Sequence, residues 1–309
     1  MSTHLPVLYS EALHELSIKP DGIYIDCTFG RGGHSKGLLQ ELGPQGRLLA
    51  LDRDLDAINS EVAAELLKDS RFELEHCCFS QLQEVVNQRG WQGKVDGILM
   101  DFGVSSPQLD NADRGFSFMK DGPLDMRMDC SQGVSAAEWL ATVSEQDLIR
   151  VLYDYGEERF ARRIAAAVVE QRIEVPLETT QQFVGLLVEA IPFKEKHKHP
   201  ATRSFQAVRI AVNRELEEIS SVLDQAVNVL GSAGRLVVIS FHSLEDRIVK
   251  RFIRDESRGK YNPVKLPMQV DELAALRLKK CGGAIKSGAN ELKENKRARS
   301  AVMRVAERK

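Results

Sequence analysis

Apolar and polar positions alternate in blocks along the first third of the chain. Short apolar runs at 23–27, 47–52, 71–76 and 95–102 are separated by stretches at 35–42, 55–68 and 80–89 whose apolar residues recur every three to four positions. Short runs rich in Ile, Leu and Val fit strands buried on both faces, and the intervening spacing fits helices. Strand and helix alternating at this interval predict a parallel sheet with crossover helices. The alternation stops near 111. From there to about 213 the periodicity is helical, clearest at 145–155, 157–172 and 179–191, with almost no strand pattern. Alternation resumes with a long helix at 215–230, which Gly231-Ser-Ala-Gly234 is expected to stop. A fully apolar strand at 235–241, a helix at 244–255 and a last strand at 300–306 follow. Residues 256–298 are rich in Gly, Lys, Asn and Pro and predict an irregular segment. The economical architecture is a doubly wound α/β domain, 1–110 with 214–309, interrupted by an all-helical insert, 111–213. The insert leaves from the carboxyl end of the fourth strand, where crevices of open α/β sheets lie, and is placed to cover a substrate.

Candidate chemistry gathers at the strand ends. The first strand closes on Asp26, breaks into Cys27-Thr28-Phe-Gly30-Arg-Gly32-Gly33-His34-Ser35, and a helix follows; the second strand closes on Asp52. Glycines there let the backbone approach a ligand, and Asp52 sits where ribose hydroxyls are read. Two templates compete. The dinucleotide pattern G-x-G-x-x-G finds Ser35 in the place of its third glycine. The S-adenosylmethionine pattern D-x-G-x-G-x-G finds Thr28 in its first glycine slot. A structural turn uses the same residues, so the loop alone leaves the cofactor open.

Composition narrows the classes. The chain has 309 residues, a net charge of −3 and no apolar run long enough to span a bilayer. Its N-terminus lacks a charged-then-apolar leader. Five cysteines without a C-x-x-C pair read as reduced thiols of a cytoplasmic protein. A slightly acidic chain is no uniform nucleic-acid coat, so any such surface is a local patch.

The fourth strand ends in Asp101-Phe-Gly-Val-Ser105-Ser106-Pro107-Gln108. It is a variant of the D/N/S-P-P-aromatic loop of amino-methylating enzymes, in which oxygens accept the hydrogens of a target amine. An exocyclic amine needs such acceptors, because its lone pair is delocalised into the ring until the N–H groups are held out of plane. A strand end closed by a polar turn accounts for Gly103 and Pro107 equally well. Phe79, just after the third strand, suits either the covering of an adenine ring or the core. Arg114, Phe116 and Phe118 interleave cations and rings as the insert begins, as a base-stacking surface would; an insert core would look similar. Lys194, Lys196, Lys198 and Arg203 form a basic loop, fit for phosphates or simply solvated. His197 and His199 lack a third nearby ligand, so no metal is expected. Ser243 reads as a helix cap with Asp246 following, and His242 just before it as a residue able to face substrate.

Taken together, these blocks resemble one family. Tyr24-Ile-Asp-Cys-Thr-Phe-Gly-Arg-Gly-Gly-His-Ser, Asp101-Phe-Gly-Val-Ser-Ser-Pro-Gln, Arg114-Gly-Phe-Ser-Phe, Tyr155-Gly-Glu-Glu, Pro200-Ala-Thr-Arg-Ser-Phe and Ser240-Phe-His-Ser-Leu-Glu-Asp-Arg occur in order. They resemble the bacterial small-subunit (16S) ribosomal RNA cytosine-N4 methyltransferases, from His4 to Arg308. The resemblance implies a class I S-adenosylmethionine-dependent methyltransferase fold, Rossmann-like, with an inserted helical domain for substrate recognition. It implies S-adenosyl-L-methionine as donor and a decoding-centre cytidine of 16S rRNA, within the small ribosomal subunit, as acceptor. Its cofactor contacts fall on Gly32, Gly33, His34, Asp52, Phe79, Asp101 and Gln108, with Asp101 as the catalytic candidate. Ser105, Ser106, Pro107, Arg114, Phe116, Phe118, Lys196, Lys198, Arg203 and His242 are the substrate candidates. Cys27 and Phe102 depart from the family pattern as apolar exchanges. A nicotinamide-dependent dehydrogenase and a non-catalytic ribosome-assembly factor are the alternatives, and Ser35 and the polar loop after Asp101 speak against the first. The oligomeric state, a homodimer included, is not encoded legibly.

Overall fold

A computed structural model describes residues 6–193, 199–259 and 276–309. Its strands are β1 (Ile23–Asp26), β2 (Arg47–Asp52), β3 (Phe72–His76), β4 (Val95–Asp101), β5 (Leu230–Ser240), β6 (Leu278–Ile285) and β7 (Val302–Arg308). Among the described residues they make one sheet of order β3-β2-β1-β4-β5-β7-β6. β1 to β5 run parallel, and β7 lies antiparallel to both β5 and β6. Period-two alternation sends Leu49 and Leu51 into the core on one face and Leu48 and Ala50 into the core on the other. Both faces are therefore dry, which is why these strands read as continuous apolar runs. β2 and β3 leave β1 on one side, and β4 and β5 on the other. The strand order thus switches between β1 and β4, and the carboxyl ends of strands at such a switch are where open α/β sheets hold ligands.

Met1–Gly103 with Leu216–Lys309 form one compact unit, and Val104–Glu215 forms a second. The sequence-based boundaries, 110/111 and 213/214, fall inside the second unit. Val104 and Leu109 pack against the helical core, and Ser106–Asp110 is a short helix that the polar strand-end sequence hid. That unit is built from helices Ala136–Thr142, Glu145–Gly156, Ala161–Glu174, Thr180–Ala190 and Ala201–Asn213. They share a core around Leu148, Leu152, Ile164, Val168, Phe183 and Phe205. Buried Asn213 fastens an irregular stretch to it. Its Oδ1 accepts the Met128 N–H at 2.8 Å, and its Nδ2 donates to the Met126 carbonyl at 2.7 Å.

The sequence expectations needed several corrections. The segment 256–298 is not irregular throughout, since it holds β6 and helix Ala289–Glu294, although 260–275 lie outside the described residues. β6 buries only Leu278 fully and so carries no apolar run. Gly231-Ser-Ala-Gly234 does not separate helix from strand; it lies within β5, at an irregularity opposite Val95 and Gly97. The expected helix at 55–68 is two short ones, Leu55–Ile58 and Glu61–Leu66, the second capped by the Ser60 hydroxyl. The basic loop ends in helix Ala201–Asn213. No helix of the described residues is long and apolar enough to cross a membrane, and all five cysteines are free.

Candidate active site at the strand ends

Carboxylates close three neighbouring strands: Asp26 on β1, Asp52 on β2 and Asp101 on β4. Asp26 is fully buried. Its Oδ2 accepts the Ser35 hydroxyl at 2.7 Å, and its Oδ1 accepts the Thr28 N–H at 3.1 Å and the Thr28 hydroxyl at 3.4 Å. Thr28 Oγ1 in turn accepts the Asp101 N–H at 2.7 Å. The ends of β1 and β4 are thereby tied to the glycine turn. Burial pushes Asp26 above the usual carboxylate range, and the His34 imidazole with the bonds from Ser35 and Thr28 pulls it partly back. Thr28 and Ser35 are the two residues that depart from the glycine templates. Their hydroxyls are what a buried Asp26 requires. Sequence reading did not assign them this role.

Asp52 anchors the turn from the other side. Its Oδ2 accepts the Gly30 N–H at 2.6 Å and its Oδ1 the Asp54 N–H at 2.8 Å. Burial raises its pKa to about 6, against the lowering effect of those two bonds. Each carboxylate oxygen keeps room for a second donor. Gly30 and Gly32 stand at φ 53° and 69°, left-handed conformations that favour glycine. A Cβ at 32 would also come within 2.9 Å of the Phe29 ring, and one at 33 would collide with Pro6.

Helix Gly33–Glu41 follows and carries His34 in its first turn. The imidazole is 4% exposed, and the Tyr9 ring stacks on it with centroids 6.0 Å apart. Gly37 makes space for that ring, because a Cβ there would lie 2.9 Å from Tyr9 Cε2. Neither ring nitrogen of His34 has a hydrogen-bond partner among the described residues. Its Nε2 lies 3.7 Å from Asp101 Oδ2, and Asp101 Oδ1 is likewise buried without a partner among the described residues. Buried polar atoms left unserved are costly, and a site that keeps three of them side by side fits a polar ligand. Phe79 begins a short 3-10 turn after β3; it is half-buried, with its ring 5.8 Å from that of Phe102.

Other candidates fare differently. His242, not Ser243, caps helix Ser243–Arg258. Its Nδ1 accepts the Glu245 N–H at 3.5 Å, and its Nε2 stands 3.0 Å from Glu245 Oε1. The ring is thus turned onto its own helix rather than held free for substrate. Asp246 is paired with Arg304 of β7 at 2.6 and 2.9 Å. In the helical unit, Gln108 Oε1 accepts the Ser105 N–H at 2.8 Å and closes the start of the helix that holds Ser106 and Pro107. Arg114 is buried, and its guanidinium donates to the carbonyls of Arg127 and Met128 at 3.1 and 2.9 Å. It braces a loop and is not presented to phosphate. Phe116 is buried in the unit's core, and Phe118 packs on His199 and Phe205 with centroids 4.8 and 5.0 Å apart. Phe116 is thus core, whereas Phe118 is half-buried at the edge of that core. Arg203 is half-buried on helix Ala201–Asn213, and Lys194, Lys196 and Lys198 lie outside the described residues.

Strand-order switch, glycine turn and acidic strand ends define a Rossmann-like α/β fold of the nucleotide-binding class. The MraW methylase family model matches residues 1–309, and the chain belongs to the MraW methylase family. Curated relatives match from end to end. The ribosomal RNA small subunit methyltransferase H of Methylococcus capsulatus is 59% identical over 302 residues, 98% of this chain and 99% of that protein. The protein of the same name from Thioalkalivibrio sulfidiphilus is 57% identical over 305 residues, 99% of this chain and 97% of its own. That from Pseudoalteromonas atlantica is 55% identical over 307 residues, 99% and 98% respectively.

Proposed function

We propose that this chain transfers a methyl group from S-adenosylmethionine to the N4 amine of a cytidine in the decoding centre of 16S ribosomal RNA. The substrate would be met in the small ribosomal subunit, in the cytoplasm. The observation that carries the reading is the end-to-end match to relatives named ribosomal RNA small subunit methyltransferase H.

The donor supplies an electrophilic methyl group on a sulfonium. The residues at the strand ends fit it. The left-handed turn at Gly30 and Gly32 carries the backbone close past the strand ends, and Asp52 retains acceptor capacity for ribose hydroxyls. Phe79 would cover the adenine. The nitrogens of His34 and Oδ1 of Asp101, without partners among the described residues, would bond polar groups of the donor, and Gln108 would add a further contact. On the acceptor side, Asp101 would take a hydrogen bond from the cytosine amine. That bond localises the nitrogen lone pair for in-line attack on the methyl carbon; the carbon–sulfur bond breaks as the carbon–nitrogen bond forms, S-adenosylhomocysteine leaves, and the surplus amine proton passes to Asp101 and on to water, with no metal needed. Ser105, Ser106 and Pro107 follow Asp101 in the chain and would complete the acceptor side. The dehydrogenase alternative loses ground on one atom: the Ser35 hydroxyl occupies the third-glycine place and is bonded to Asp26.

The test is transfer of labelled methyl from S-adenosylmethionine to small-subunit particles from a strain lacking this protein, with mapping of the modified base. Label on N4 of a decoding-centre cytidine is expected. No label, or label on a carbon or another base, would refute the reading. A melting shift with a nicotinamide dinucleotide but none with S-adenosylmethionine would revive the alternative.

A further inference from the structure

The helical unit carries cations that the strand-end site does not use. Helix Glu145–Gly156 buries Leu148, Leu152 and Gly156 and turns Arg150 and Tyr153 outward. Glu157 then takes a left-handed φ of 50°, and Glu158 Oε1 accepts the Phe160 N–H at 2.9 Å. The chain doubles back into helix Ala161–Glu174, which brings Arg159, Arg162 and Arg163 alongside Tyr153. Together they line an open groove of about 650 Å³.

The charge in this groove is lopsided. Among the described residues, four arginines line it against one acid, Asp154. Arg150 is paired with Asp147. Arg159, Arg162 and Arg163 are exposed and form no ion pair among the described residues. The first turn of helix Ala161–Glu174 holds no acid, so its dipole adds to the positive field. In a chain of net charge −3 this is a concentrated cationic surface. Tyr153 stands 67% exposed among the guanidinium groups. Planar guanidinium forks match phosphate oxygens, and an open ring offers a base a stacking face. A carboxylate-rich peptide would use the charges but not the ring.

We propose that this groove docks a single-stranded stretch of the substrate RNA, with phosphates on Arg159, Arg162 and Arg163 and one base on Tyr153. The proposal rests on the methyltransferase reading and assigns RNA contact to residues outside the 194–203 stretch.

The full-length chain is compared with four variants: Arg159→Ala/Arg162→Ala/Arg163→Ala, the same three positions changed to Lys, Tyr153→Ala and Tyr153→Phe. Each is titrated with unmodified small-subunit particles over a range of salt, and methyl transfer is followed in the same samples. The triple alanine variant is expected to raise KM for the particles about tenfold or more and to flatten the salt slope by about 2, at roughly 0.7 per single-strand phosphate contact. Its kcat at saturating particles and its melting shift with cofactor stay at the wild-type values. The lysine variant keeps most of the salt slope. Tyr153→Ala weakens binding by about fivefold to a hundredfold with the slope unchanged, and Tyr153→Phe restores it. Unchanged KM and slope in a triple alanine variant with wild-type melting would overturn the assignment. So would a poly-glutamate chain that competes as well as single-stranded RNA. A wild-type chain that binds particles but transfers no methyl would sink the methyltransferase reading, while the salt slopes of the variants would still judge the groove.

Discussion

At the end of β2, Asp52 commits both oxygens to backbone N–H groups and still holds, through burial, a pKa of about 6. An unfolded aspartate titrates near 4, so the folded chain keeps this proton longer. The group's contribution to stability is therefore full below about pH 4 and is lost as pH rises towards 6. Ribose hydroxyls donating to the carboxylate would favour its ionised form, so cofactor binding should expel a proton. Affinity for S-adenosylmethionine is expected to climb between about pH 5 and pH 7, and calorimetry in two buffers of unequal ionisation heat would record the proton. Asp52→Asn should flatten that profile and weaken binding by about 1.5–3 kcal/mol, as for a lost hydrogen bond to a charged group. Asp101 tests the chemistry itself. Asp101→Asn keeps its size and loses its charge, and should slow single-turnover methyl transfer about a hundredfold or more. A normal rate would leave Asp101 as a strand-end residue only.

Among the elements, β4 shows how one missing side chain sets a packing. Gly97 lies opposite Tyr24 of β1, and a Cβ at 97 would come within 2.7 Å of the Tyr24 ring and 3.0 Å of Leu16. The ring is buried, and its hydroxyl accepts the Lys19 N–H at 2.7 Å. Gly97→Val should cost about 1–3 kcal/mol by overpacking, read from the urea midpoint. Combined with Tyr24→Leu, the two costs should fall short of their sum by at least about 0.5 kcal/mol. Strict additivity would mean the ring is not what meets the new side chain. Legibility followed the same physics. β1, β2, β4 and the end of β5 announced themselves because burial on both faces forces continuous apolar runs. β6 was silent because one fully buried residue makes no pattern. Asp52 was legible as a site candidate from its place at a strand end. The ties of Thr28 and Ser35 to Asp26 were not, since they depend on which atoms the fold brings together. For Arg114, Phe116 and Phe118 the sequence left core and stacking surface open, because cations and rings in alternation look the same whether they face inward or outward; the fold buries Arg114 and Phe116 and leaves Phe118 half-buried.

In the whole molecule, each of the two units has a hydrophobic cluster of its own. Rejoining residue 103 to residue 216 should therefore leave a folded sheet unit that still binds S-adenosylmethionine but methylates no RNA, as isotope transfer would report. The excised helical unit, 104–215, should melt cooperatively by circular dichroism. Methylation by the shortened chain would remove the helical unit from the acceptor site. The sheet also has an order of assembly written into it. β7, last of the strands along the chain, lies between β5 and β6. Translation delivers β6 before β7, its one strand partner among the described residues, while the edge of β5 stands bare from Arg235 to Ser240. Both gaps close only when residues 302–308 have left the ribosome. Until then the nascent chain exposes an unpaired apolar strand, the kind of edge that recruits other chains. Residues 302–308 thus act as a keystone, and a chain stopped short of them is expected to aggregate more readily than one that carries them.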